Sequence, residues 1–273
     1  MEISRSNIFD VIKLYGASPD KDYGQNFLVE PTISKNIVNL LNLEQEDKVL
    51  EVGPGLGSLT HFMVDNSHLT VCDIDPRMTS FIKFNYGEKV EIILNDIRKV
   101  NVSKYDKIIG NLPYNITTEL VTYLLLNARG AKKMVLMCQV EAFNHFNDVS
   151  GKEYGPISVL LHLLGVINKE LVVKAGSFHP VPKCNSLVFS FTYNEDINWD
   201  EALGIYKLAK VLFLNRRKTI YNNLKNYLSS GEKAEKVLDS LKIEKNLRPE
   251  QLSPDVYSDL YKTICLKWGK IYN

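Results

Sequence analysis

Four consecutive residues, Asn111-Leu112-Pro113-Tyr114, carry the groups that an amine on a flat aromatic ring needs in order to react. Such an amine is a poor nucleophile because its lone pair is delocalised into the ring. The Asn111 side-chain oxygen and the Leu112 carbonyl are two acceptors that can hold its two N–H bonds and draw the nitrogen towards tetrahedral geometry. The lone pair is then free to attack. Pro113 fixes the backbone and has no N–H to interfere, and Tyr114 offers a ring face for an extruded base, worth on the order of 1–3 kcal/mol. The competing reading is a plain turn. Against it stands the position of the four residues, at the end of an apolar run and downstream of a ligand-type glycine turn.

That turn is Gly53-Pro54-Gly55-Leu56-Gly57, entered from the apolar run Lys48 to Val52 and followed by a helical pattern from Ser58. Glycines at alternate positions let the backbone bend sharply and approach a ligand closely. Asp73 ends the next apolar run and Asp75 follows it; a carboxylate there can accept hydrogen bonds from both hydroxyls of a ribose. A dinucleotide site would place its third glycine one step later, at the start of a helix that receives a pyrophosphate. The observed spacing, with Glu51 just before it, favours S-adenosylmethionine, which has no phosphate. A ligand-free strand-to-helix turn is the alternative. Asp96 and Ile97 follow a third run and suit an adenine amino group and ring; alone, Asp96 could equally cap a helix. Three acids at three successive strand ends, on the edge where open α/β sheets bind ligands, favour the cofactor.

The scaffold these residues need is a doubly wound α/β sheet. Strands are expected at Lys48 to Val52, Leu69 to Asp73, Val90 to Leu94, Lys107 to Gly110 and Lys133 to Gln139, with helices between them, including one from Pro76 and one from Thr117 with a Thr N-cap. After a helix from Pro156 to Leu164, Val166 to Lys174 and Leu187 to Tyr193 should extend the same sheet. Beyond a polar linker, Asn194 to Trp199, helical periodicity marks Ala202 to Leu214, Arg217 to Leu228, Lys233 to Leu241 and Pro254 to Trp268. The expected domains are therefore 1–195, catalytic, and 196–273, small and helical.

Bulk properties narrow the class further. The chain has 273 residues, is 45% hydrophobic and carries a net charge of +1, enough for a large domain and a smaller one. Residues 200–273 hold 14 Lys and Arg against 9 Asp and Glu, and residues 1–199 hold 19 against 23. A basic segment beside an acidic one fits a polyanion partner as well as it fits a solvated helical surface. Cys72, Cys138, Cys184 and Cys265 show neither metal-ligand nor disulfide spacing. With no signal-peptide pattern and no bilayer-length apolar run, a cytoplasmic protein without a metal site is expected.

Taken together, these residues resemble the rRNA adenine N6-dimethyltransferase family over nearly the whole chain. Gly24-Gln25-Asn26-Phe27-Leu28 resembles its N-terminal motif, which implies cofactor contacts at Gln25, Asn26 and Leu28. The segments Glu51 to Thr60, Asp96 and Asn111 to Thr117 resemble its methionine, adenine and target motifs, with Asn111 shared between cofactor and target. Phe178-His-Pro-Val-Pro-Lys resembles a later motif and implies that Phe178 sandwiches the target base against Tyr114. The family commonly has Glu at the position of Asp73, so the ribose contact would use a shorter arm, which Asp75 could share. His145 stands where Arg is common and is given no role.

Arg216-Arg217-Lys218 with Asn222-Asn223-Leu224, and Leu247 to Leu252, look like the small-subunit housekeeping branch, the KsgA type, and imply RNA contacts at Arg216, Arg217 and Lys218. A solvated helix start is the bland reading of the cluster. The resemblance implies a Rossmann-like monomer that dimethylates two adjacent adenosines in the terminal hairpin of small-subunit rRNA within a maturing subunit. The alternatives are a large-subunit enzyme conferring macrolide resistance, and a non-catalytic assembly factor that keeps the fold.

Overall fold

A computed structural model describes residues 1–20 and 23–269. The chain forms two compact units, Met1–Phe143 with Ile167–Tyr193, and Asn144–Val166 with Asn194–Asn273. The last four residues of the expected helical domain lie outside the described residues.

In chain order the elements are α1 (Ile8–Tyr15), β1 (Phe27–Leu28), α2 (Pro31–Asn39), β2 (Lys48–Val52), β3 (His68–Asp73), α3 (Pro76–Tyr86), β4 (Glu91–Leu94), β5 (Lys107–Asn111), α4 (Thr117–Asn127), β6 (Lys133–Gln139) and α5 (Val140–Asn147). Then come α6 (Pro156–Leu164), β7 (Gly165–Val173), β8 (Phe178–His179), β9 (Ser186–Tyr193), α7 (Trp199–Leu214), α8 (Ile220–Leu228), α9 (Gly231–Ser240) and α10 (Pro254–Trp268). Seven strands make one sheet in the order β4-β3-β2-β5-β6-β9-β7. Its first five strands are parallel and β9 runs antiparallel to β6. The strand order therefore reverses at β2, between β3 and β5, and the carboxyl edge of such a switch point is where open sheets bind ligands. The central strands are apolar on both faces, as buried parallel strands must be; Val49, Leu50, Ile108, Ile109 and Val135 are fully buried.

Most expected elements form, but the helix expected over Arg217 to Leu228 begins only at Ile220, where the Thr219 side chain caps it by accepting from the Asn222 amide, and two further local details differ. The helical pattern from Ser58 yields tight turns with only a short 3-10 segment at Thr60–Phe62. Gly55 and Gly57 adopt left-handed φ values of +52° and +76°, and the Thr60 hydroxyl is drawn inward to Glu51. At α4 the N-cap is Ile116 and makes no side-chain cap bond, while the Thr117 hydroxyl donates to the Pro113 carbonyl. Thr117 thus ties the helix back to the tetrapeptide.

The second unit has its own core. Tyr154, Val159, Leu208, Leu212, Leu224, Leu238, Tyr257 and Leu260 are all buried in it. Expected to begin at residue 196, this unit also takes in 144–166, because Tyr154 and Val159 belong to its core. Gly204 lets α7 and α10 approach, since a Cβ there would stand 2.1 Å from the Tyr261 hydroxyl.

Candidate active site

The glycine turn leaves the end of β2 and lines a cavity at the carboxyl edge of the sheet. Gly53 has φ +67°, and a Cβ there would meet only the Asn111 carbonyl, at 3.8 Å. Its need for glycine is conformational, and it leaves the cavity open. At Gly55 a Cβ would lie 3.1 Å from the Phe27 ring, so this glycine admits the N-terminal motif. Gly57 is not among the lining residues. A Cβ on it would press on Ile82 at 3.0 Å and Tyr86 at 3.2 Å, so Gly57 serves packing against α3 and not the approach of a ligand.

Glu51, Asp73 and Asp96 all line this cavity. Glu51 is 1% exposed; burial pushes its carboxyl up to about 8 although Thr60 donates to it at 2.6 Å. Asp73 accepts from the amides of Asp75 at 2.9 Å and Gly55 at 3.4 Å, and burial still raises it to about 6. Two acids without a cationic partner among the described residues thus face a space that a cation and a diol would fit. Asp96 differs. Hydrogen bonds from Arg98 hold its carboxyl below the usual carboxylate range, and it caps the following 3-10 turn, as the capping reading expects, while lining the cavity. Ile97 is buried beside it on the cavity wall.

Asp75, expected to share the ribose, is not on the wall. It caps α3 through the Arg77 amide and is held by the Arg77 guanidinium at 2.7 Å and by Gln25 Nε2 at 2.9 Å. Burial opposes its ionised form, but these hydrogen bonds outweigh burial and lower its pKa. Gln25 spends its other end on the Asp20 amide at 2.9 Å. Gln25 lines the cavity, as do Asn26 and Leu28, and its side chain joins the N-terminal motif to the start of α3.

The tetrapeptide closes the far wall. Asn111 Nδ2 donates to the Asn26 carbonyl at 3.1 Å, which orients the amide and leaves Oδ1 without a donor among the described residues. Leu112 donates its amide to Met137 at 2.9 Å, and its carbonyl receives no bond among the described residues. The Tyr114 hydroxyl lies 2.8 Å from Ser186 Oγ, which anchors a half-buried ring at the rim. Gly24, at φ +62°, packs against this loop, where a Cβ would come 3.2 Å from Asn115.

Phe178 is not among the lining residues. It is 2% exposed in the hydrophobic core, and its strand β8 pairs with β1 so that Phe178 faces Leu28 in register. The basic cluster sits in the turn between α7 and α8, with Arg217 and Lys218 exposed. Arg216 instead donates to the Gly151 carbonyl at 3.2 Å and lies 3.8 Å from Glu250. Asn223 Nδ2 organises this turn through the carbonyls of Asn215, Lys218 and Thr219. His145 makes a local pair with Glu153 at 3.0 Å. Sequence reasoning missed Arg98, Arg77 and Ser186. Arg77 and Arg98 each follow a capping Asp by two positions, a spacing that could have flagged them; Ser186 carries no local signal.

A reversing parallel sheet with a glycine turn and acids at its carboxyl edge defines a Rossmann-like methyltransferase. Comparison makes the class specific: a sequence model of the ribosomal RNA adenine dimethylase family matches residues 17–265, and the chain belongs to that family. Relatives named ribosomal RNA small subunit methyltransferase A include one from Malacoplasma penetrans, 34% identical with 86% of this chain and 88% of the relative covered. Another, from Geobacter metallireducens, is 34% identical with 93% and 98% covered. Among solved structures, a dimethyladenosine transferase from Plasmodium falciparum superposes with a TM-score of 0.75 at 24% identity, covering 90% of this chain and all of that one. The 23S rRNA methyltransferase ErmE gives 0.68 at 21%, with 87% and 98% covered. Both share the fold.

Proposed function

We propose that this chain transfers methyl groups from S-adenosylmethionine to N6 of two adjacent adenosines in the terminal hairpin of small-subunit rRNA, acting as a cytoplasmic monomer on a maturing subunit. The observation that carries this reading is one cavity whose walls hold Asn111, Leu112 and Tyr114 together with Glu51, Asp73 and Asp96. The relatives named for the small subunit favour that substrate over the large one.

The residues present fit the cofactor. Asp73 offers acceptors for a ribose diol, Asp96 for an adenine amino group with Ile97 against the ring, and buried Glu51 gains from a neighbouring ammonium. Gly53 and Gly55 keep the backbone close, and Gln25, Asn26 and Leu28 cover the opening. When bound, the cofactor supplies an electrophilic methyl on a sulfonium, already an excellent leaving group. The protein's task is then largely positioning.

Asn111 Oδ1 and the Leu112 carbonyl accept the two N–H bonds of the target amine for the first methyl, and the one that remains for the second; each time the nitrogen lone pair is turned towards the methyl, and the proton that the methylated nitrogen sheds passes to water. Pro113 keeps a competing donor away. Tyr114, anchored by Ser186, gives the extruded base a platform that offsets part of the cost of unstacking. Arg217 and Lys218 neutralise phosphates of the RNA, while Arg216 supports their turn.

Isolated small and large subunits incubated with methyl-labelled cofactor test the reading. Label is expected at adenine N6 in small-subunit rRNA, and Asn111→Ala should lower incorporation roughly 100-fold with cofactor affinity little changed. Label confined to the large subunit, or wild-type turnover in Asn111→Ala, would overturn it. Removing Arg217 and Lys218 together should reduce the salt slope of RNA binding by roughly one per cation.

A further inference from the structure

We propose that Arg98 is a positioning residue for the cofactor: its guanidinium clamps the Asp96 carboxylate in the plane needed to accept the adenine amino group. The inference rests on the reading of Asp96 given above and adds a residue to it.

The geometry is a fork on a fork. Arg98 Nε lies 3.0 Å from Asp96 Oδ1 and 3.1 Å from Oδ2, Nη2 lies 2.6 Å from Oδ2, and the Arg98 amide adds a bond to Oδ1 at 2.9 Å. A bidentate guanidinium fixes the plane of a carboxylate as a lysine ammonium cannot. The same guanidinium is held from the other side, where Nη1 donates to Glu119 in the first turn of α4 at 2.8 Å. Asp96 is thereby tied to the helix that follows the tetrapeptide. Ile116 and Leu120, which flank Glu119 on this stretch, line the cavity with Arg98.

The clamp also favours the ionised form. A neutral carboxylic acid has one oxygen that donates, which sets it against an amino group that must also donate. Arg98 is the largest influence lowering the Asp96 pKa, with a smaller contribution from Lys99. The other titratable neighbours, Cys72 and Tyr123, have raised pKa values, chiefly from burial, and stay neutral. Glu119 acts on Arg98. Removing the guanidinium should therefore move the Asp96 titration upward.

Calorimetry with S-adenosylhomocysteine across an acidic pH series tests this in wild type, Arg98→Leu, Arg98→Lys, Asp96→Asn and the Arg98→Leu/Asp96→Asn double variant, with circular dichroism confirming each fold. In Arg98→Leu the affinity should fall roughly three- to tenfold, a modest figure because the pair is partly exposed. Its loss of affinity on acidification should begin at higher pH than in wild type. Arg98→Lys keeps the charge and should restore the acid limb while recovering only part of the affinity. Glu51 and Asp73 titrate alike in all variants, so the ratio to wild type isolates Asp96. Wild-type affinity and acid limb in Arg98→Leu, or an undiminished Arg98→Leu loss in the Asp96→Asn background, would overturn the inference. A wild type that binds no S-adenosylhomocysteine would instead overturn the cofactor reading itself.

Discussion

Buried acids divide by position along the same parallel strands: Asp47 at the amino end and Asp75 just beyond the carboxyl end are paired with cations, whereas Glu51 and Asp73 at the carboxyl end have none among the described residues. At the amino end, Asp47 is 3% exposed and meets Lys107 at 2.6 Å, with Lys132 at 4.0 Å. Burial pushes its carboxyl up, but the Lys107 hydrogen bond, the Glu44 amide and the two lysine charges together bring it below the ordinary value. At the carboxyl end, among the described residues, Glu51 and Asp73 receive only a hydroxyl and backbone amides, and burial wins. A completed ion pair closes the structure on itself. An acid left without a protein cation keeps its binding capacity for something else, and the uncompensated pair lies at the edge where the cofactor is proposed to bind.

Breaking the amino-end pair should have the largest effect on stability. Lys107→Met leaves Asp47 buried with only the distant Lys132, and should cost about 3 kcal/mol in urea unfolding, with cofactor affinity of the folded protein unchanged. A loss under about 1 kcal/mol would mean that Asp47 is no more constrained than a surface acid. At the other end, Asp73→Asn should weaken cofactor binding about tenfold while unfolding stability at neutral pH stays level or rises. A stability loss matching that of Lys107→Met would erase the contrast.

The smallest effect at neutral pH, and the sharpest in sign, is in pH dependence. The raised acids bind more protons folded than unfolded, so their contribution falls as pH rises, from 4.5 to about 8 for Glu51 and from 3.8 to about 6 for Asp73. Asp47 works the other way: its contribution is present above 3.8 and is lost as pH falls through its lower folded value. Glu51→Gln, which can still accept from Thr60, should flatten the alkaline loss in the urea midpoint and leave the acid limb in place. An unchanged alkaline limb would remove Glu51 from the uncompensated acids.

Legibility followed the range of the interaction. Strands β2 and β6 and helix α10 have the bounds that periodicity predicts, because apolar runs and a Pro-started helix are local signals. The glycine turn was legible as a unit, yet its third glycine proved to serve α3, since what a Cβ would strike depends on Ile82 and Tyr86. Asp73 and Asp75 are indistinguishable by type and spacing. Arg77 and Gln25 separate them by occupying one and not the other. Residues 144–166 read as part of the first domain because sequence order carries no sign that the chain crosses to another core and returns.

By itself the sequence determined the α/β class, the tetrapeptide, the order of the acids and the family, all properties of residues close together or of motifs in series. The tertiary structure alone decided which acids remain uncompensated, that Phe178 is buried in the core in register with Leu28, that Arg216 is held by its own unit while Arg217 and Lys218 are exposed, and that Arg98 grips Asp96 and Glu119 together. Each of these depends on a burial or a partner set by folding, and burial and partnering fix what a polar group is left free to do.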